Sequence, residues 1–151
     1  MNSYRSARGF GANERGQSAV ELALLAPVLI LILLAAADFG RLFYTSIAVS
    51  NAARAGAQYG AQSVITAADA NGMVAAAQSD GTNIADLTAS AQQCTCQNST
   101  SVALCPAAYC VGDTWATFVE VDTHATFNTL LSYPGVPSSV PLSGKAVMQV
   151  E

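Results

Sequence analysis

Glu120, Asp122 and His124 alternate along one short stretch, which in an extended strand puts all three on one face. Two carboxylates and an imidazole are groups that hold a metal ion or move a proton. Neighbouring members stand about 6.6–7 Å apart on a strand, so loops or a second strand would have to complete any closed ligand shell. His124 is the only histidine, so a Ser-His-Asp or Cys-His device would have to centre on it. No serine sits in a glycine elbow, and no glycine-rich phosphate loop is present. A solvated strand face, with Lys145 pairing across a sheet, needs nothing further. On that reading the chain has no metal, no cofactor and no catalytic residue, and is not an enzyme.

Cys94, Cys96, Cys105 and Cys110 fall within 17 residues. Zinc favours closed tetrahedral spacings such as C-x2-C, and C-x-C followed by C-x4-C fits that poorly. An even count in a tight cluster, if exported, reads as two disulfides. Three connectivities are possible. Cys94 and Cys96 are too close for comfortable pairing with each other, which favours a bond from each to Cys105 or Cys110. Asn98-Ser99-Thr100 is a formal glycosylation sequon. Trp115, Tyr109 and Tyr133 read as core or rim packing.

A further titratable group lies in unusual company. Ala19–Ala37 is one apolar run with a lone acid, Glu21, near its start. As a helix its 19 residues rise about 28 Å, enough to cross a hydrocarbon core. A carboxylate in such a segment is costly unless it finds a partner. Arg5, Arg8 and Arg15 against Glu14 leave residues 1–16 at +2, while Arg41, Arg54 and Lys145 against nine acids leave the remainder at −6. The positive-inside bias keeps residues 1–16 in the cytoplasm and sends the body across. A body this acidic offers no basic surface for phosphates, so nucleic-acid binding is excluded as a function class.

Arg15-Gly16-Gln17 precedes the run, and trimming after Gly16 would free an amine at Gln17 that is mostly cationic at neutral pH. Gln17 and Glu21 are one helical turn apart, about 6 Å along the axis. The amine of one subunit, or of its neighbour, would neutralise the acid and set the axial register of packed helices. Pro27 removes one helical hydrogen bond and should bend or loosen the helix. Two alternatives stand beside this: a cleaved secretory signal ending at Ala35-Ala36-Ala37, and a signal anchor without processing.

The residues Arg15-Gly16, Ala19-Val20-Glu21-Leu22-Ala23, Pro27, the Leu/Ile run, Asp38-Phe39-Gly40-Arg41-Leu42-Phe43-Tyr44 and Asn51-Ala52-Ala53-Arg54-Ala55-Gly56-Ala57-Gln58-Tyr59 together resemble a TadE-like pseudopilin of the tight-adherence (Flp-type) pilus system. The resemblance covers residues 15–60. It implies that Gly16 precedes the bond cut by a prepilin peptidase, that Gln17 becomes the mature terminus, and that Glu21 is the fifth mature residue; Glu21 and Pro27 are the residues expected to serve assembly. Two departures stand out: the Asp38 position is more often glutamate, and major pilins favour tyrosine where this chain has Leu22. With the large body after residue 60, this points to a minor subunit.

Past the apolar run, Phe39, Phe43, Ile47, Ser50, Ala53 and Ala57 recur at spacings of three and four, predicting a continued helix with that face against another layer. Asn51, Arg54 and Gln58 form a polar stripe beside it, open either to partner subunits or to solvent. Thr66–Ser79 predicts a second helix ended at Asp80-Gly81, weakened by Gly72. Asp86–Ala91 predicts a strand. Thr117–Phe127 alternates Val119, Val121, Ala125 and Phe127 against Glu120, Asp122, His124 and Thr126. Ser143–Glu151 alternates likewise, and Pro134-Gly135, Pro137 and Pro141 mark the long turn between them.

Composition agrees with one membrane segment and one modest domain in 151 residues: 52% apolar, 11% charged, mean hydropathy +0.35, the last inflated by alanine. The expected fold is α+β: a long N-terminal membrane-spanning helix continuing into a pilin-like domain with a small antiparallel sheet. The expected divisions are a cytoplasmic leader (1–16), a transmembrane helix (17–38), its extension (39–62), and a periplasmic α+β domain (63–151) with a disulfide-braced loop (94–110). The function so read is that of a minor pseudopilin in the bacterial inner membrane. Its partners are prepilin peptidase, other minor pseudopilins and the pilus assembly platform, and it stays in the membrane or enters the pilus. The alternative is a signal-anchored periplasmic binding domain outside any filament.

Overall fold

The computed structural model describes residues 14–96, 102–110, 116–131, 135 and 137–151, with side chains from Gly16 onward. The leader before Glu14, the sequon at 98–100, Trp115, Tyr133 and Pro134 lie outside the described residues. The chain divides into two compact units, residues 1–37 and 38–151. Helix α1 (Glu14–Gly60) is one helical run that passes through Pro27. Within it, the stretch of the first unit is long and apolar enough to cross a membrane, and Val20, Leu22, Leu24, Leu25 and Val28 through Leu33 are exposed. An exposed surface of that kind is stable only against an apolar medium, which suggests a single-pass membrane anchor.

The second unit holds the rest of α1, then α2 (Val64–Ala67), α3 (Ala70–Asp80), β1 (Thr88–Thr95), β2 (Ala103–Leu104), β3 (Thr117–Asn128) and β4 (Ser139–Gln149). The sheet order is β2-β1-β3-β4. β3 pairs antiparallel with both β1 and β4, while the two-residue β2 pairs parallel with β1, so the small sheet is mixed rather than wholly antiparallel. The core lies between helices and sheet: Ala53, Ala57, Ala67, Met73, Ala77, Val119, Val121 and Ala146. Alanine and glycine on α1 permit close approach. A side chain at Gly144 of β4 would meet the Val49 carbonyl oxygen at 2.7 Å, and Thr123 Oγ1, fully buried, donates to that same oxygen at 2.8 Å.

The elements depart from expectation in four places. The helix expected over Thr66–Ser79 is two helices, because Asp69 caps α3 by accepting from the Gly72 N–H at 2.9 Å. The ring of Tyr59 lies where a side chain at Gly72 would stand, so that glycine, a weak helix former, is there for space. The strand expected at Asp86–Ala91 lies at Thr88–Thr95 and runs into Cys94, while Asp86 instead accepts from the Thr126 N–H at 2.8 Å. Pro141 belongs to β4 rather than to the turn. β4 is an edge strand, where a missing donor costs little.

The fourth departure is the helix face. Ala53 and Ala57 are buried, but Phe39, Phe43 and Ile47 are 61%, 65% and 60% exposed. A step of four residues advances about 400°, so this row slants about 40° per step around the helix. It ends on the side shared by the exposed Asn51, Arg54 and Gln58, while Val49, Ala52, Ala53, Gly56 and Gly60 face the sheet.

Candidate functional site

In the first unit, Gly16 and Gln17 sit in the opening turns of α1, with open space where a Gly16 side chain would be. Gln17 Nε2 donates to Glu21 Oε1 at 3.5 Å, the outer limit of a hydrogen bond. The helix thus holds position 17 one turn from the acid, on the same side. Glu21 is exposed, as are Leu22, Leu24 and Leu25 after it.

In the second unit the helix surface is sorted by what the sheet covers. Phe39, Phe43, Tyr44 and Ile47 make an open apolar ridge that gives way to Asn51, Arg54 and Gln58. Near its start, Asp38 is 5% exposed and accepts from the Leu130 N–H at 3.1 and 3.2 Å. Arg41 Nη1 pairs with Asp38 at 3.1 Å, and its guanidinium lies 5.3 Å from the Phe127 ring centre. This clasp joins residues 92 positions apart, and no spacing rule could have indicated it.

The acidic strand face is also partnered. Glu120 was expected among solvated groups, yet it is buried, with Gln92 Nε2 donating at 2.9 Å, Tyr109 OH at 3.1 Å and Lys145 Nζ at 2.8 Å. Tyr109 is therefore more than rim packing. It also lies 5.9 Å, ring to ring, from Phe118. The Lys145 ammonium chiefly holds the Glu120 carboxyl below its ordinary range; burial opposes this, and Gln92 and Tyr109 reinforce it. Lys145 is in turn held above its ordinary value by its hydrogen bond to Glu120, and Tyr109 likewise. Asp122 stands 3.5 Å from the same ammonium, and His124 is exposed, opposite Thr88 and Ser143. The sheet thus turns two members of the alternating trio toward a lysine, where a metal would have to displace a cation.

A second polar pair ties α1 to the cap of α3. Tyr59 OH donates to Asp69 Oδ2 at 2.9 Å, which raises the Tyr59 pKa, while the Gly72 N–H first and Tyr59 second lower that of Asp69. A groove of about 350 Å³ is lined by Arg41, Tyr44, Ile84, Asp86, Thr126 and Phe127 among others. Its cation is paired with Asp38 and its carboxylate is spent on the Thr126 N–H.

The cysteines form Cys94–Cys105 and Cys96–Cys110, one of the connectivities left open by the spacing. The sulfurs of Cys96, Cys105 and Cys110 lie within 4.8 Å of one another, but oxidation leaves no thiolate to bind a metal. Both bridges hold the segment carrying Tyr109 against the sheet.

A family model described as TadE-like protein matches residues 16–58. Residues 16–58 are TadE-like. The matched stretch opens at Gly16 and takes in Glu21, Pro27, Asp38 and the open ridge of α1. The TadE-like match suggests a part in Tad pilus assembly as a membrane-associated component. No curated protein and no solved structure matches the chain.

Proposed function

We propose that this chain is a minor pseudopilin of a tight-adherence pilus assembly system. Prepilin peptidase cuts after Gly16 on the cytoplasmic side, and the new Gln17 amine neutralises Glu21, in the same subunit or its neighbour. The neutralised acid pins the axial register of helices packed side by side in the inner membrane. Beyond the hydrocarbon core, the apolar ridge Phe39-Phe43-Ile47 offers a continuation of the packing surface toward related minor subunits and the assembly platform. The protein works by packing and charge pairing, with no turnover of substrate. The observation that carries this reading is the TadE-like stretch whose apolar run holds one acid, Glu21, one turn beyond Gln17.

An unpartnered acidic side chain costs about 2.5–3.5 kcal/mol at the middle of a span and less near its end. Glu21→Gln removes both the cost and the register signal, so helices still insert but pair without selection. The expected result is normal membrane levels of the Glu21→Gln protein with loss of pili, and a mature chain beginning at Gln17 on N-terminal sequencing. Pili formed at parental levels by Glu21→Gln and Glu21→Ala would overturn the proposal. A retained leader would favour the signal-anchored binding domain, and a released chain starting near Asp38 a secreted domain.

A further inference from the structure

The direction of β3 fixes which part of the sheet lies beside Asp38, the first residue of the body. Val119 packs where Gly60 leaves space, Val121 at Gly56, Thr123 bonds the Val49 carbonyl, and the Leu130 N–H bonds Asp38. β3 therefore runs antiparallel to the body's stretch of α1. The two paths match in length: Gly60 back to Asp38 rises about 33 Å as helix, and Val119 to Leu130 about 36 Å as strand. Leu130 and Leu131 thus stand at the Asp38 end, in the connection from β3 to β4. They are 57% and 41% exposed, which is costly for two adjacent leucines facing water.

Asp38 is the residue immediately after Ala37, where the apolar run ends. A run filling the hydrocarbon core puts its next residue in the headgroup layer, about 5–7 Å thick on each side. A backbone amide bonded to that residue shares its depth. We propose that Leu130 and Leu131, just past the end of β3, seat in the headgroup layer of the same bilayer as a second, shallow membrane contact. The occupant is lipid, because the tie to Asp38 keeps these side chains at the level where the span leaves the membrane. The exposed Phe39 follows Asp38 at that same level and adds an apolar ring to it. This inference rests on the single-pass anchor reading.

The test uses the full chain in phosphatidylethanolamine–phosphatidylglycerol vesicles with Trp115→Phe as background, accepted only if intact mass shows both disulfides. Leu131→Trp, Leu29→Trp and Ile65→Trp are compared, with lipids brominated either high or deep on the acyl chain as quenchers. The expected result is loss of most Leu131→Trp emission with shallow bromines and little with deep ones. Leu29→Trp should show the reverse, and Ile65→Trp, on α2 beside the far end of the helix, should show neither. Leu130→Trp substitutes if the Leu131 variant fails to fold. Water-like, unquenched emission from Leu131→Trp while Leu29→Trp is quenched would overturn the inference and leave the anchor standing. An unquenched Leu29→Trp would remove the anchor reading, and this inference with it.

Discussion

Gly144→Ala tests the central packing argument, that α1 can lie on the sheet only because β4 offers it bare backbone. An added Cβ would stand 2.7 Å from the Val49 carbonyl oxygen and 2.8 Å from Ser50 Cα, short of ordinary contact by about 0.7 Å. Both are helix backbone atoms, which no side-chain rotation can move aside. Gly144 is not among the positive-φ residues, so the cost comes from contact and not from backbone strain. Either α1 lifts from β4 or the strand bends away. Lifting by that amount stretches the Thr123 Oγ1 to Val49 bond from 2.8 Å to the edge of hydrogen bonding. Overpacking costs about 1–3 kcal/mol and the weakened bond about 1 more, giving about 2–4 kcal/mol. For a body of this size that lowers Tm by about 8–16 °C. The same substitution at Gly40 is the control, since nothing lies within 4 Å and the position is inside α1. There alanine should stabilise by about 1 kcal/mol through helix propensity alone. Thermal unfolding of the full chain in mild detergent, followed by near-ultraviolet circular dichroism, reads both. A Gly144→Ala protein that melts with its parent would refute the proposed close approach.

Two further predictions concern the polar and covalent braces. Because the Glu120 carboxyl is held below its ordinary value, the stability it contributes is complete above about pH 4.3 and is lost as pH falls through the lowered value. Lys145, held above its ordinary value, contributes stability that is lost only as pH rises past about 10.4 and through its raised value. Urea midpoints measured from about pH 3 to 7 should fall on the acid side, and Glu120→Gln should flatten that fall. Cys94→Ser with Cys105→Ser, or Cys96→Ser with Cys110→Ser, should each cost about 3 kcal/mol by chain entropy, read as a lowered urea midpoint under non-reducing conditions.

What the sequence determined by itself was local and periodic. The apolar run after Gly16, its lone acid, and the match of spacing through Tyr59 are each visible within a few helical turns, where every residue's neighbours are set by chain geometry. The alternation of Val119, Val121, Ala125 and Phe127 was legible for the same reason, since a strand's two faces follow from a period of two. Tertiary structure decided the matters that depend on distant partners. Glu120 is buried because Gln92, Tyr109 and Lys145 arrive from three other segments. Pro141 can lie in a strand because β4 is an edge of the sheet among the described residues. The ridge Phe39-Phe43-Ile47 stays open because the sheet covers the neighbouring side of α1, a choice that helical spacing does not encode. Which cysteines join, and that Leu130 returns to Asp38, depend on loops being closed by the assembled sheet. Residues far apart in sequence acquire a relationship only through the packing that brings them together.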